Sequence, residues 1–361
     1  MSEPRTKVGV LVINFGEPDE PTPAKVERFL ERIFLQNAGL EPDESTLARA
    51  RQLAKDRTPG LVSEYLEIGG SPLNAQADTQ ADALQTALRE RRWQARTYSA
   101  FQFTEPFIED RVLEAKRDGV DVLVAIPLYP LCGQSTTVAA LDALRTALAE
   151  LQWSPRFVGV SGWHHHPVYV DFRAARVRAF MEERGLDPRD DDTLLYFSAH
   201  GTPIKYLDEG NRYDRYVEEH CLDIAARVGA VCSAVGFQNH TNRRVKWTQP
   251  DNEEAIRESA QKRLVVVPVS FMHEQSETLA ELDGGLRKFT ESLGKEFHRV
   301  PVPHEAPEFI EFLADLTVAL VTGPYEGSAA LAPCRCAPDP GIWCTNGARD
   351  LPPSPYTSAG A

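Results

Sequence analysis

The chain has 361 residues, a hydrophobic content of 42% and a formal net charge of −14 at pH 7. This length is typical of two domains of ordinary size, and the negative charge argues against nucleic acid as a partner. No apolar run approaches the roughly 20 residues of a membrane span, and the first residues do not resemble a secretory signal. We therefore expect a cytoplasmic protein, with peripheral contact with a membrane left open.

Short β-branched segments alternate with amphipathic stretches along the chain, which predicts βαβ units and parallel sheets. In chain order, strands are predicted at residues 8–15, 95–101, 120–128, 156–160, 193–198, 232–237, 263–270 and 297–301. Helices are predicted at residues 79–92, 106–118, 138–152, 167–184, 214–228, 277–293 and 309–320.

Similar features recur in the same order in the two halves of the chain. The pair Phe101-Gln102 at the end of one strand recurs as Phe237-Gln238, and the segment 127–130 has its counterpart at 268–271. The repeat predicts an α/β fold with two similar Rossmann-like lobes, each a parallel sheet flanked by helices, with a ligand cleft between them. The expected divisions are an N-terminal lobe at 1–153, a C-terminal lobe at 154–322 and an irregular, cysteine-containing tail at 323–361.

A histidine stands at the end of the strand predicted at 193–198. Gly201 and Pro203 end the strand directly after His200. Such folds bind ligands at the carboxyl ends of their parallel strands. A neutral imidazole there can accept a proton or bind a transition metal. The alternative is a histidine that only caps the next turn through a backbone hydrogen bond.

Three acids follow the strand predicted at 263–270. Glu274, Glu277 and Glu281 are spaced i, i+3 and i+7, which places them on one face of a helix. Like charges on one face repel unless a cation or transferred protons offset them, so the spacing indicates a cation or proton site. The alternative is a solvated surface with acids near a favourable helix N-terminus.

The segment 237–250 is polar and basic and follows a strand. Arg243, Arg244 and Trp247 could bind a flat, carboxylated ligand, or the segment could be a surface loop anchored by one aromatic side chain.

Three of the six cysteines form a further candidate site. Cys334, Cys336 and Cys344 lie close together in a proline-rich tail, whereas Cys132 follows a strand. In a cytosolic protein the clustering of the three tail cysteines favours metal or iron–sulfur ligation over disulfides. The alternative is a tail with incidental thiols.

Several motifs follow one another along the chain at residues 10–18, 29–35, 65–73, 127–130 with 135–137, 198–201 with Gly210 and Tyr213, 237–238 with Trp247 and Pro250, and 277–283. Together and in this order they resemble the ferrochelatases, enzymes that insert ferrous iron into a porphyrin to make haem. The resemblance runs to about residue 320, and it implies a lyase, a metal chelatase of porphyrin and haem biosynthesis.

The resemblance also implies roles for individual residues. His200 and Glu277 are implied as the catalytic pair, and His200, Glu277 and Glu281 as the residues that bind the metal. A neutral imidazole can accept a pyrrole proton and a carboxylate can bind metal or relay protons, but which residue does which stays open. Porphyrin contacts are implied for Phe15, Phe34, Ser71, Ser135, Thr136 and Trp247.

Departures from the family pattern bear on the substrate. Glu274-Gln275 stands where the family usually carries Asp-His, and Phe15, which cannot ligate metal, stands where some relatives carry a tyrosine. The lip segment 29–35 is apolar and lacks paired arginines suited to extra carboxylates. We therefore favour protoporphyrin IX as substrate, and coproporphyrin III stays open.

Some ferrochelatases carry a [2Fe–2S] cluster, and the resemblance implies one here on Cys132, Cys334, Cys336 and Cys344. Two other functions stay open: a related chelatase that loads cobalt or iron into a more carboxylated tetrapyrrole, and a non-catalytic two-lobed protein that binds porphyrin or haem. The sequence gives no indication of the oligomeric state.

Overall fold

Two sheets built mainly from parallel strands organise the chain. A computed structural model describes residues 6–40, 46–239, 245–323, 331–347 and 349–356. All eight predicted strands are present, so the predicted α/β class with parallel sheets flanked by helices is confirmed.

The strands, numbered in chain order, are β1 Lys7–Asn14, β2 Gln94–Phe101, β3 Val122–Pro127, β4 Arg156–Val160, β5 Thr193–His200, β6 Ser233–Gln238, β7 Arg263–Pro268, β8 Glu296–Arg299, β9 Ala332–Pro333 and β10 Ile342–Cys344. The α-helices are α1 Pro23–Gln36, α2 Thr46–Glu67, α3 Leu73–Glu90, α4 Ile108–Arg117, α5 Ala139–Glu150, α6 Pro167–Glu183, α7 Ile204–Asp208, α8 Tyr213–Val228, α9 Asn252–Glu258, α10 Arg287–Ser292 and α11 Pro307–Thr322. A first π-helix spans Gln134–Val138, a second spans Glu277–Leu286, and a 3₁₀ turn spans Ala38–Leu40.

The first sheet has the strand order β2-β1-β3-β4-β10-β9. Its first five strands are parallel, and β9 runs antiparallel to β10. Seven of the eight residues of β1 are buried, because helices cover both faces of a parallel sheet and leave no solvated side for polar residues.

The second sheet has the order β6-β5-β7-β8, with every strand pair parallel. β5 lies between β6 and β7 and is buried from Thr193 to Ala199. Only its last residue, His200, is partly exposed, and in the strand register it pairs with Gln238 of β6.

The chain forms two compact units that are not contiguous in sequence. The first comprises Met1–Glu17, Leu73–Tyr169 and Pro303–Asp350, and the second comprises Pro18–Pro72, Val170–Val302 and Leu351–Ala361. Four elements therefore differ from the predicted divisions at residues 153 and 322: β4 and α11 belong to the first unit, and α1 and α2 belong to the second.

Pairing and packing explain these differences. β4 pairs with β3 over four residues, from Arg156 opposite Val122 to Gly159 opposite Ala125. α11 places Phe309 and Phe312 against Trp163, with ring centroids 5.9 and 5.7 Å away. Both contacts lie within the first unit and join segments far apart in the chain.

The tail differs from the predicted irregular segment at 323–361. Its strands β9 and β10 extend the first sheet, with Ile342 opposite Gly159 of β4. The backbone of β4 stabilises this addition, since Gly159 N donates to Gly341 O at 2.8 Å and Ser161 N donates to Trp343 O at 2.8 Å. Across the described ranges, no helix is both long and apolar enough to cross a bilayer.

Candidate active site

The ring of His200 has a defined hydrogen-bonding state. Its Nδ1 lies 2.7 Å from the carbonyl oxygen of Gly201. A carbonyl oxygen can only accept, so Nδ1 donates, and in the neutral ring Nε2 carries the lone pair. The turn that follows β5 therefore selects the tautomer in which Nε2 can accept a proton or bind a metal.

Burial also determines the charge of this ring. Loss of solvent around His200 lowers its pKa below the usual value, and the hydrogen bond to Gly201 opposes this effect only in part. A buried imidazole resists protonation because its charged form is poorly solvated. His200 is therefore neutral at pH 7, which is the state that a proton acceptor needs.

Glycine is required directly after His200. A Cβ atom at Gly201 would lie 1.9 Å from Asn239 Oδ1 and 2.9 Å from the carbonyl oxygen of Gln238. The main chain after β5 thus runs too close to the end of β6 for any side chain. This close approach allows Gly201 N to donate to Gln238 O at 2.8 Å, which joins the ends of the two strands.

The main chain of His200 is bound by Ser270, which follows β7, and Ser270 is in turn bound by Tyr213 at the start of α8. His200 N donates to Ser270 Oγ at 2.9 Å, and the hydroxyl of Tyr213 lies 2.8 Å from the same oxygen. The rings of Trp247 and Phe271 lie 6.4 and 6.2 Å from the imidazole, both edge-on. Two aromatic rings and a hydroxyl pair therefore restrict the position of the imidazole.

The second π-helix begins with Glu277. Its Oε2 accepts hydrogen bonds from Gln275 Nε2 and Ser276 Oγ, both at 3.0 Å. These two donors precede Glu277 directly in the sequence and orient its carboxylate. Gln275, which departs from the family pattern, thus contacts Glu277 itself.

Gln238 connects the histidine strand to the acidic helix. It pairs with His200 in the β5–β6 register, and its Nε2 donates to Glu277 O and to Glu281 Oε2, both at 3.1 Å. One buried amide therefore fixes the start of the π-helix and the second carboxylate beside the strand that ends in His200. The sequence showed Gln238 only as half of a repeated pair, and its position at the end of an apolar strand was the available signal.

A series of buried side-chain hydrogen bonds fixes the position of the Gln238 amide. Ser198 Oγ donates to Gln238 Oε1 at 3.3 Å, Asn252 Nδ2 donates to Ser198 Oγ at 2.9 Å, and Tyr196 Oη donates to Asn252 Oδ1 at 2.8 Å. A Cβ atom at Gly236 would lie 1.8 Å from the Tyr196 oxygen, so glycine makes room for these hydrogen bonds. Satisfied buried networks of this kind hold their members rigidly.

Glu274 does not share the face of Glu277 and Glu281, so the prediction of a three-acid face is wrong. Glu274 lies before the helix, where Arg299 Nη1 and Val302 N donate to its Oε1 at 2.9 Å. Arg299 also pairs with Asp283 at 2.5 Å. The side chains of Arg299 and Glu274 are only 7% and 13% exposed. Glu274 therefore forms a buried ion pair with Arg299.

The other predicted porphyrin residues lie in both units. Trp247, Phe34 of α1 and Ser71 between α2 and α3 belong to the second unit, and Phe15, Ser135 and Thr136 belong to the first. Phe15 packs with Leu73, Ala77 and Phe101, and its ring lies 4.5 Å from that of Phe103. Arg243 and Arg244 lie outside the described residues.

The repeat predicted from sequence extends to a detail of the first π-helix. There Gln102 Nε2 donates to the carbonyl oxygen of Ser135 at 3.4 Å, just as Gln238 donates to that of Glu277. In each unit the glutamine of a Phe-Gln pair binds the start of a π-helix that follows the third strand. Helices of this kind are rare in proteins, and those that do occur are often found at functional sites.

The four predicted cluster cysteines lie close together in the first unit. Cys334 Sγ accepts from Ser161 Oγ at 2.9 Å and from Ala337 N at 3.2 Å. Hydrogen bonds from the Cys336 and Cys344 thiols hold the pKa of Cys334 well below its usual range, and Cys132 lies near enough to Cys344 to interact electrostatically with it.

Within the ranges that the structure describes, no group of three or more His, Cys, Asp or Glu side chains is arranged to hold a metal ion. This statement covers both the His200–Glu277–Glu281 set and the cysteines.

Comparison with known proteins identifies similar chains. A sequence model of the ferrochelatase family matches residues 7–320. The chain is 32% identical to the ferrochelatase of Trichodesmium erythraeum, over 88% of this chain and 84% of that protein. It is 33% identical to the ferrochelatase of Synechococcus sp. (strain RCC307), over 91% of this chain and 87% of that protein.

Among solved structures, a multi-domain protein of Deinococcus radiodurans with structural similarity to chelatases matches with a TM-score of 0.50 and 17% identity. The match covers 91% of this chain and 57% of that one, and it supports the fold alone.

Proposed function

Because the chain belongs to the ferrochelatase family, we propose that His200 and Glu277 are the pair that acts on the porphyrin and the iron. The enzyme is a lyase, a metal chelatase that inserts Fe²⁺ into a porphyrin to form haem. One observation carries the residue assignment: Gln238 pairs with His200 between strands and donates to the backbone of Glu277 at 3.1 Å. This amide fixes both groups to one sheet edge.

The reaction releases two pyrrole protons for each Fe²⁺ that enters the macrocycle. We propose that Nε2 of His200 accepts a proton, since the Gly201 hydrogen bond leaves the lone pair on that nitrogen and burial lowers the pKa of the ring. A general base that is neutral near the working pH is suited to this step. The porphyrin nitrogens then keep the electron pairs that bind the iron.

Glu277 is proposed to contact the iron and to relay the second proton. Its carboxylate is oriented by Gln275 and Ser276, and an oxygen anion of this kind binds a divalent ion readily. Glu281 lies four residues further along the same π-helix, and Gln238 holds its carboxylate. We propose Glu281 as the third residue of the iron path.

For the porphyrin we propose contacts with Phe34, Ser71 and Trp247, and with Phe15, Ser135 and Thr136. Aromatic rings suit the flat face of a macrocycle because stacking buries large apolar areas. In α1, Phe29 is buried while Phe34 is only half-buried, so Phe34 is the aromatic side chain that this lip offers. The apolar lip supports protoporphyrin IX as the preferred substrate.

An anaerobic assay with Fe²⁺ and either porphyrin tests this function. We expect the visible spectrum of haem to form from protoporphyrin IX with a kcat/KM about tenfold above that for coproporphyrin III, since a missing partner for a buried carboxylate costs at least this much. Zn²⁺ should be inserted as well, because nitrogen ligands bind it at least as strongly as Fe²⁺. Equal or faster turnover of coproporphyrin III would contradict the substrate preference.

Two alternative functions remain less favoured. The relatives that match most of this chain at 32–33% identity are ferrochelatases, rather than chelatases of more carboxylated tetrapyrroles or non-catalytic haem carriers.

A cytoplasmic location is proposed because all six cysteines are thiols, which is typical of a reducing compartment. Cell fractionation checks this location.

We also propose that Cys132, Cys334, Cys336 and Cys344 hold a [2Fe–2S] cluster. The four thiols lie near one another but do not have the arrangement of a metal site, so this proposal requires their side chains to reorient around the cluster. The thiolate is the ligand form, and hydrogen bonds from the Cys336 and Cys344 thiols lower the pKa of Cys334. Hydrogen bonds from Ser161 and Ala337 to its sulfur are of the kind that tune such clusters. When bound, the cluster would supply a redox-active centre and tie the tail hairpin to the Cys132 loop.

Replacing Cys334 with serine tests the cluster. Protein purified without oxygen should contain about two irons and two sulfides per chain and absorb in the visible, and Cys334→Ser should lose both signals. Cys232→Ser is the matched control, since Cys232 lies in the second unit beside Asp191 and Gln261. Wild-type protein without bound iron and sulfide would contradict the cluster.

A further inference from the structure

The last described residues of the chain lie against the second unit. We name residues 351–356 the C-terminal strap. Arg212 Nη1 donates to the carbonyl oxygen of Pro352, and Arg215 Nε donates to that of Pro353, both at 3.0 Å. Gln249 N donates to the hydroxyl of Tyr356 at 3.2 Å, and this hydroxyl donates in turn to Gln249 O.

The composition of the strap suits docking rather than internal structure. Three of its six residues are proline, which removes backbone donors and favours an extended conformation. The strap therefore presents mainly carbonyl acceptors, and Arg212 and Arg215, at the start of α8, supply the donors. A pre-extended segment loses little conformational freedom when it docks.

One end of the strap acts on the segment that carries Trp247. Gln249 lies two residues after Trp247, and Thr248 lies between them. Thr248 N donates to Thr202 O, and Thr202 N donates to Thr248 Oγ1, both at 3.1 Å. The segment held by Tyr356 is thus the one that brings Trp247 within 6.4 Å of the His200 ring.

The other end of the strap is fixed next to a second support of His200. Arg212 and Arg215 flank Tyr213, whose hydroxyl lies 2.8 Å from Ser270 Oγ. That oxygen accepts the hydrogen bond from His200 N. The strap therefore joins the two elements, α8 and the Trp247 segment, that border the imidazole.

We propose that the C-terminal strap positions Trp247 for porphyrin binding, and that Tyr356 is a positioning residue that acts through Gln249. The proposal rests on the proposed function, in which Trp247 contacts the macrocycle. Tyr356 itself touches neither substrate nor iron in this scheme. Its phenol accepts from the N–H of Gln249 and donates to the carbonyl oxygen of the same residue. These groups belong to the two peptide units on either side of the Gln249 Cα, so the phenol restrains the backbone of Gln249 more than a single hydrogen bond would.

The test is Tyr356→Phe in the full chain, which removes both hydrogen bonds to Gln249 and keeps the ring. We expect KM for protoporphyrin IX to rise about fivefold with kcat within twofold of wild type, because positioning of a binding group affects the substrate complex more than the chemical step. Binding of protoporphyrin IX, measured by quenching of its fluorescence without metal, should weaken by the same factor. Val231→Ala, at an exposed position of the second unit outside the strap, is the control and should match wild type.

A double-mutant cycle shows whether the effect passes through Trp247. In a Trp247→Ala background, Tyr356→Phe should have no further effect on porphyrin binding, since coupled residues are not additive. A chain ending at Asp350 should reproduce the loss seen with Tyr356→Phe. An additive effect in the double variant, or unchanged porphyrin binding in Tyr356→Phe, would overturn the role of the strap.

These outcomes are distinct from failure of the proposed function. A wild-type chain that binds protoporphyrin IX but never metallates it refutes the chelatase function, whereas a fully active wild type with an equally tight-binding Tyr356→Phe variant refutes only the strap.

Discussion

Replacing His200 with alanine is expected to lower kcat for haem formation by about 10³-fold, within the usual contribution of a positioned general base. The variant keeps β5 in place, because Ser270 and Gly201 bind the strand end through backbone atoms of residue 200 and its neighbours. Initial rates with Fe²⁺ and protoporphyrin IX, together with a thermal unfolding curve, measure the effect.

The matched control for this variant is His298→Ala. His298 lies on β8, two strands away from β5 in the same sheet, and its ring contacts Glu296. This control should keep wild-type rates. Near wild-type turnover in His200→Ala would refute the assignment of His200 as the proton acceptor.

The pH profile gives an independent check on the same residue. Burial lowers the pKa of His200, so the ring becomes protonated, and loses its acceptor, only when the pH falls below the ordinary histidine value of about 6.5. The acid limb of kcat/KM should therefore lie below pH 6.5 in the wild type.

Replacing Glu277 with glutamine is expected to lower kcat by about 10²-fold and to raise KM for Fe²⁺. The amide has the size of the carboxylate, but it carries no charge and cannot accept a proton at neutral pH. Steady-state kinetics with varied Fe²⁺ at saturating porphyrin separate the two parameters. Glu281→Gln, one helical turn along from Glu277, should have a smaller effect of about tenfold.

Glu274→Gln is the matched control for both acids. Glu274 pairs with Arg299, so its replacement should lower the free energy of unfolding by about 3 kcal/mol, the usual cost of breaking a buried ion pair. It should leave kcat at the wild-type value. If Glu274→Gln lowers kcat as strongly as Glu277→Gln, the assignment of distinct roles to these acids is wrong.

The core strands could be predicted from sequence because each is a short apolar run bounded by turn residues. β9 and β10 could not, since Pro333 and Gly341 lie within or beside them and their pairing depends on the exposed edge of β4. The division into units could not be predicted for a related reason. Local patterns predict a helix at residues 309–320, but not that it packs against Trp163, which lies far earlier in the chain.

The candidate site was predictable where residue type and strand position agree, as for His200 at the end of β5. The position of Glu274 was not, because the i, i+3 spacing treated Glu274 as part of a helix that begins only at Glu277. Arg299, which binds Glu274, is 25 residues away, and no local pattern reports such a partner. The π-helical turn itself has no periodic signal that distinguishes it from an α-helix of the same residues.

The matched glutamines have a meaning for the history of the molecule. Gln102 donates to the carbonyl oxygen of Ser135, and Gln238 donates to that of Glu277, so the same kind of contact holds the first turn of a π-helix in each unit. Internal duplication of an ancestral half would produce this arrangement, in which a glutamine at the end of one strand holds the helix that follows another strand of the same sheet.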